Sequence, residues 1–378
     1  MSTLLLTNAR VVLRDAVMLG TVAVCNGRID AIDASHSAAP GALDLDGDYL
    51  LPGLVEIHTD NLEAHLKPRP GVRWPVEPAV ISHDAQMAAS GITTVFDALS
   101  VGDPMRGFRS QIFASVIGAI TQAQQSGQMR ADHLLHLRCE VSAGDMMELL
   151  APHARNPLLQ LISVMDHTPG QRQWADLAKY SHRVRALHGF DEAQLAAHMR
   201  DRQADQDRYA AGNRKALLAF LAEHPVPLAS HDDTTPEDVQ EAVAAGARIS
   251  EFPTTIEAAQ LARAHGLGIV MGAPNVILGG SHSGNVSARS LAERGLLDIL
   301  SSDYVPGSLL QSLWRLHKDL GIALPNAVAM ASANPAEAVK LDDRGRIEPG
   351  RRADLVRVRP TPAGPVVREV WREGKRIA

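Results

Sequence analysis

Leu51-Pro52-Gly53-Leu54-Val55-Glu56-Ile57-His58-Thr59-Asp60 is an apolar run that stops abruptly on a His-x-Asp pair. A short run of this kind, bounded by turn residues, suits a strand buried on both faces. Side chains two apart on an extended strand share a face, so His58 and Asp60 can both point toward one axis. Comparable runs follow at 92–99, 133–141, 159–167, 226–231, 247–252, 268–273 and 297–303, making eight with 51–58. Helical patterns lie between them, such as Gln111 to Gln125, Ala211 to Glu223 and Ser308 to Leu320. Strand–helix alternation predicts an α/β fold with a parallel sheet. Eight units predict closure into a (β/α)8 TIM-like barrel.

The two ends of the chain differ from this middle. Leu4 to Val12, Gly20 to Val24 and Arg28 to Ile32 read as short strands, with Asn26-Gly27 as a hairpin signal. Ala353 to Val358 and Pro365 to Trp371 have the same character, punctuated by Gly350 and Gly374. They predict a small composite β-sandwich domain from residues 1–50 and 340–378, with the barrel over 51–339. Residues 170–215 are a polar insertion carrying Arg172, Lys179, Arg183, Arg185, Arg200 and Arg202. A solvated helical face accounts for most of these charges; Arg172 is the candidate for a lid over the barrel mouth.

The 378 residues exceed the roughly 250–300 at which single cores stop growing. An apolar content of 45% and a charged content of 21% are ordinary for a soluble globular protein. The formal net charge of −6 weighs against a broad nucleic-acid footprint. Cys25 and Cys139 offer neither a disulfide framework nor zinc-ribbon spacing. Leu4 to Leu6 is too short for a signal peptide or a membrane span. A cytoplasmic protein without nucleic-acid or membrane partners is expected, with a homo-oligomer left open.

The chemistry is concentrated where apolar runs end. One run ends in His58-Thr59-Asp60, another in Glu140, a third in Asp166-His167, a fourth in His231-Asp232-Asp233 and the last in Asp303. In a parallel barrel these ends share one face, where active sites sit. Each group alone has a structural explanation, since a histidine ending a strand is more often a satisfied core residue. Unpaired at one rim, that many ionisable groups would each carry a desolvation cost of several kcal/mol. Three imidazoles and three carboxylates form a ligand set for one or two divalent ions such as Zn, Mn or Fe. His83, Asp84 and Asp97 are candidate partners that fix imidazole tautomers. His136 is expected to be core-packed or outward; His36, His153, His188, His224 and His265 are expected at the surface or in loops.

The Gly-rich segment Leu278-Gly279-Gly280-Ser281-His282-Ser283-Gly284-Asn285-Val286 lets backbone N–H groups approach a phosphate. Lys67, Arg69 and Arg73 lie in a proline-stiffened loop just after the first ligand pair. Such cations would suit a polyphosphate, or simply decorate a rigid surface loop.

Leu51 to His58 resembles the first-strand signature of the amidohydrolase superfamily, and Gly350-Arg351-Arg352-Ala353-Asp354-Leu355-Val356 resembles its closing signature. Finer motifs include His58-Thr59-Asp60-Asn61-Leu62-Glu63, Leu137-Arg138-Cys139-Glu140, Met165-Asp166-His167-Thr168-Pro169-Gly170-Gln171-Arg172-Gln173, Ala229-Ser230-His231-Asp232-Asp233 and Ser301-Ser302-Asp303-Tyr304. Together they resemble the diphosphatase family of the carbon–phosphorus lyase pathway, over nearly the whole chain. The resemblance implies hydrolysis of α-D-ribose 1-methylphosphonate 5-triphosphate to the 5-phosphate and pyrophosphate during phosphonate use. The chain departs from most superfamily members in carrying His-x-Asp rather than His-x-His, and Glu140 where many use a carboxylated lysine. That shifts the site toward oxygen ligands.

On this basis His58, Asp60, Glu140 and Asp303 are expected around one ion, with Glu140 bridging to a second held by His167 and His231. Asp303 is expected to take the proton of the attacking water. Lys67, Arg69, Arg172, Ser281, His282, Ser283 and Asn285 are the expected contacts to the triphosphate. The rival readings are a cyclic-amide hydrolase of the dihydroorotase or hydantoinase type, and a non-catalytic barrel that has lost its metals.

Overall fold

The computed structural model describes residues 3–103, 107–281 and 284–378. Its centre is a barrel of eight parallel strands: β1 (Leu54–Thr59), β2 (Ile92–Val101), β3 (Asp132–Glu140), β4 (Leu159–Met165), β5 (Leu228–His231), β6 (Ile249–Glu251), β7 (Gly268–Gly272) and β8 (Ile299–Ser301). They pair in chain order. The ring is nearly closed by a bridge between Thr59 and Asp303. Each of the eight expected runs is a strand.

The uninterrupted apolar runs follow from burial on both faces. Val55, Phe96, Leu161, Ala229, Ile249 and Val270 pack inside the barrel. Their neighbours Leu54, Val95, Ile162, Leu228 and Ile269 belong to the larger core outside it. Each such side chain, fully buried, contributes on the order of 1.5–3 kcal/mol.

Simple alternation fails at the end of β1. Glu56 pairs with Val95 and Thr59 with Asp97, so β1 carries one extra residue there. A bulge of this kind re-aims a side chain next to a functional site. Here it follows inward-packed Ile57 with His58, whose ring also sits inside the barrel against His136, 5.0 Å away. Buried Glu56 clamps the bulge: its carboxylate accepts from the backbone N–H of His58 at 2.6 Å and from that of Ser302.

Both chain ends form one mixed sheet running through Lys375–Arg376, Gly364–Arg372, Leu355–Thr361, Tyr49–Pro52, Thr3–Val12, Val17–Cys25 and Arg28–Asp33, with Leu43–Asp44 beside Thr3–Val12. Leu6, Val11, Ile29, Leu355 and Trp371 are part of its core. The entry to the barrel is tied to the exit. Pro52 pairs with Leu355, and the Gly53 N–H donates to the Asp354 carbonyl at 2.7 Å. A Cβ at Gly53 would meet Thr93 Oγ1 at 2.2 Å, so only glycine fits.

The 170–215 insertion folds into helix α1 (Leu177–His188) and the first part of helix α2 (Glu192–Glu223). Asp176 caps α1 through the N–H groups of Ala178 and Lys179, and Asp191 and Gln194 form a capping box on α2. Among the described residues no helix is long and apolar enough to cross a membrane.

Candidate metal centre at the barrel mouth

His58, Asp60, Glu140, His167, His231 and Asp303 all line one cavity of about 550 Å³. They arrive from the carboxyl ends of β1, β3, β4, β5 and β8, so five distant stretches of chain meet at one rim. The insertion lines the same cavity through Trp174, Tyr180, Arg183, Val184, Leu187, His188, His198 and Arg202. His188 is exposed at the end of its helix, as expected, and borders the cavity as well.

The clearest ion-sized gap lies between His167, His231 and Asp232. Asp232 Oδ2 stands 3.5 Å from His231 Nε2 and 3.7 Å from His167 Nε2. It is buried and has no hydrogen-bond partner among the described residues. Those separations are long for hydrogen bonds. They suit three ligands around one ion at roughly 2.0–2.2 Å. Asp232 was legible as a strand-end carboxylate but was not among the expected ligands.

Glu140 departs from the expected bridging role. Its Oε2 lies 2.6 Å from His167 Nδ1, and its Oε1 accepts from Ser142 Oγ at 2.6 Å and from the His167 N–H at 3.1 Å. Burial alone would raise this carboxyl; the His167 imidazole and Ser142 outweigh it and bring it to about 2. Arg202 Nη2 donates to Ser142 Oγ at 2.7 Å and extends the chain of contacts to α2. This arrangement fixes the His167 ring with Nε2 turned to the gap.

Glu251, at the end of β6, does the same for two more rings. Its oxygens lie 3.0 Å from His58 Nδ1 and 3.2 Å from His231 Nδ1. A carboxylate on Nδ1 leaves Nε2 as the lone-pair nitrogen, the usual support of a ligating imidazole. The period-two pattern of Ile249-Ser250-Glu251 could have revealed this residue. His136 is buried inside the barrel and uses both ring nitrogens, on the Ile57 carbonyl at 3.0 Å and Ser163 Oγ at 2.8 Å. That leaves it no free ligand atom.

Asp60 and Asp303 sit where β1 meets β8: the Asp60 N–H and Thr59 Oγ1 both donate to the Asp303 carbonyl, at 3.2 and 2.7 Å. Burial, reinforced by the Asp60 carboxylate and opposed by Arg138, pushes Asp303 up to about 7. Asp232, Phe252 and Asp303, each just beyond a strand end, adopt left-handed backbone with φ of 58°, 55° and 54°. Such non-glycine conformations cost on the order of 1–3 kcal/mol each and cluster at functional sites.

The expected phosphate contacts scatter. Ser281 and Asn285 line the cavity. His282 and Ser283 lie outside the described residues. Lys67 and Arg69 are exposed and do not line the cavity. Lys67 Nζ instead lies 3.7 Å from the centre of the Phe108 ring. Arg172 is buried behind β5 contacts: Nη1 meets Asp233 Oδ1 at 2.5 Å and the His231 carbonyl at 3.1 Å, and Nη2 meets Glu241 Oε2 at 3.1 Å. It braces the His231 strand end and does not line the cavity. Among the described residues the arginines that do line it are Arg109, Arg138, Arg183 and Arg202.

His83, Asp97 and His133 form a separate buried group. His83 Nε2 and His133 Nδ1 each lie 2.8 Å from an Asp97 oxygen, and Asp84 Oδ1 lies 3.4 Å from His133 Nε2. Separations of 2.8 Å are hydrogen bonds and leave no room for an ion. His83 Nδ1 also lies 3.2 Å from the amide of Asn61, which follows Asp60 in sequence.

Residues 49–377 match the amidohydrolase family. The chain is 44% identical over 377 residues, 99% of its length and 100% of the relative, to alpha-D-ribose 1-methylphosphonate 5-triphosphate diphosphatase of Escherichia coli K12. Among solved structures it resembles N-isopropylammelide isopropylaminohydrolase of Burkholderia multivorans, with a TM-score of 0.66, 17% identity and coverage of 100% and 98% of the two chains. N-acetylglucosamine-6-phosphate deacetylase of Pasteurella multocida gives a TM-score of 0.63 at 13% identity, covering 99% of each. These likenesses concern the fold.

Proposed function

The chain belongs to the amidohydrolase family, and we propose that it hydrolyses α-D-ribose 1-methylphosphonate 5-triphosphate to the 5-phosphate and pyrophosphate. The carrying observation is one cavity that combines an imidazole–carboxylate ligand set with the guanidinium groups of Arg109, Arg138, Arg183 and Arg202. Full-length similarity to a diphosphatase of that activity supports it.

His58, His167 and His231 through Nε2, with Asp60, Asp232 and Asp303, would hold one or two divalent ions. Mixed nitrogen and oxygen donors favour zinc, with manganese or iron as alternatives. Bound there, the ions would activate water and neutralise phosphoryl charge. Glu140 and Glu251 hold the imidazoles in the required tautomer. Asp303, at the rim where β1 meets β8 and lining the same cavity, is placed to accept the water proton. Arg138 offers the fork geometry that phosphate oxygens take, while Arg109 is paired with Glu63 and Arg202 with Ser142 and Asp205. Ser281 and Asn285 are retained as phosphate contacts. Unpaired Cys25 and Cys139 support a reducing, cytoplasmic setting.

The test is pyrophosphate release from the ribose 5-triphosphate by metal-loaded protein, run beside ring opening of a dihydropyrimidine. Release of pyrophosphate with no ring opening is expected. Ring opening without pyrophosphate release would replace this reading with a cyclic-amide hydrolase.

A further inference from the structure

Arg138 faces the cavity from β3, two residues before Glu140 and on the same side of the strand. Carboxylates are abundant here, yet among the described residues Arg138 makes no ion pair. Its Nε is buried without a hydrogen-bond partner. Among the described residues its one hydrogen-bonding contact is Nη2 to His231 Nε2, at 3.5 Å. Glu251 faces His231 Nδ1, so the nitrogen facing Arg138 is the lone pair, the same one that an ion would take. Once that lone pair is used, the guanidinium has no protein acceptor left among the described residues. The Asp60 and Asp303 carboxylates are near enough to attract Arg138 but form no ion pair with it, so its fork stays open to a polyanion in the cavity.

We propose that Arg138 is a catalytic residue that grips the oxygens of the phosphorus under attack. This rests on the diphosphatase reading above. In the step, the water oxygen bonds to phosphorus and a phosphoanhydride P–O bond breaks. The bridging oxygen leaves with the electron pair on the departing phosphate group, and Asp303 receives the water proton. Charge grows on the phosphoryl oxygens and on the departing oxygen during this exchange. A two-pronged donor in a water-poor wall stabilises such charge without reorganising. The neighbouring Arg202 is already committed to Ser142 and Asp205, which leaves Arg138 as the unspent fork closest to the ligand set.

The experiment compares wild type, Arg138→Ala and Arg138→Lys, each loaded with zinc and analysed for metal content. Binding of inorganic pyrophosphate is measured by calorimetry and turnover by pyrophosphate release. Arg138→Ala should keep its metal, bind pyrophosphate at least ~10-fold more weakly, and lose on the order of 10³-fold in kcat. Millimolar guanidinium ion should restore part of that turnover. Arg138→Lys should recover binding better than turnover, because it keeps the charge and loses the fork. Near wild-type binding and turnover in Arg138→Ala would overturn the proposal. So would metal loss that accounts for the defect, or turnover that guanidinium leaves unmoved. If wild type releases no pyrophosphate, the diphosphatase reading fails, while calorimetry still decides whether Arg138 binds phosphoryl oxygens.

Discussion

His167 Nδ1 lies 2.6 Å from Glu140 Oε2, while its Nε2 lies 3.7 Å from Asp232 Oδ2. One nitrogen is hydrogen-bonded and the other stands at an ion-sized distance from a carboxylate, a geometry in which Glu140 orients the ring and Asp232 is placed to ligate under the function proposed above. Glu140→Gln should therefore weaken metal affinity by about 10–100-fold yet bind a full complement at saturation. Asp232→Ala should lose an ion outright. Metal titration followed by mass spectrometry separates these cases; a Glu140→Gln protein that stays empty at saturating zinc would make Glu140 a ligand.

Arg172 is buried against Asp233 and Glu241. Arg172→Ala leaves the Asp233 carboxylate buried without its cation, at a cost of about 3–5 kcal/mol. Denaturant unfolding should show the loss, and KM for the triphosphate should stay within ~3-fold. A large KM change in a protein of normal stability would return Arg172 to the phosphate site.

His133 is pulled two ways. Burial lowers its pKa, but Asp97 and Asp84 outweigh burial and raise it from 6.5 to about 9. A raised folded value means stability that is fully present below about 6.5 and lost as pH rises through about 9. The melting temperature should fall across that window, and His133→Asn should flatten the slope while lowering stability throughout. A wild-type slope that survives the substitution would place the titration elsewhere.

Gly53→Ala puts a methyl group against Thr93 Oγ1. The overlap should cost on the order of 1–3 kcal/mol. Thr93→Ala in the same chain should recover part of it, because the two positions are in contact. Additive losses in that double-mutant cycle would show that the clash is not with Thr93.

Much of the site was legible because strand ends are marked by a switch from apolar to ionisable residues. His58, His167, His231 and Asp303 carry that mark and line one cavity, and the apolar runs before them are the strands of the barrel that gathers them. Glu251 carried the same mark at the end of β6 and was passed over, as was Asp232 beside His231. Arg138 shares a strand face with Glu140, so period two contained it as well. Arg172 misled because its motif neighbours are polar and its partner Asp233 is 61 positions away. The role of Arg202 depends on Ser142, 60 positions earlier, which no local pattern reports.

Residue order by itself determined the eight buried strands, the pairing of chain ends and the pool of imidazoles and carboxylates at one rim. These follow from short-range periodicity, which burial imposes on every strand. The tertiary structure alone decided which acid supports a ring and which faces an ion-sized gap, and which arginine is spent on a neighbour. Those choices turn on hydrogen-bond distances of a few tenths of an ångström between segments far apart in the chain. They also turn on a one-residue bulge in β1 that breaks the alternation around His58.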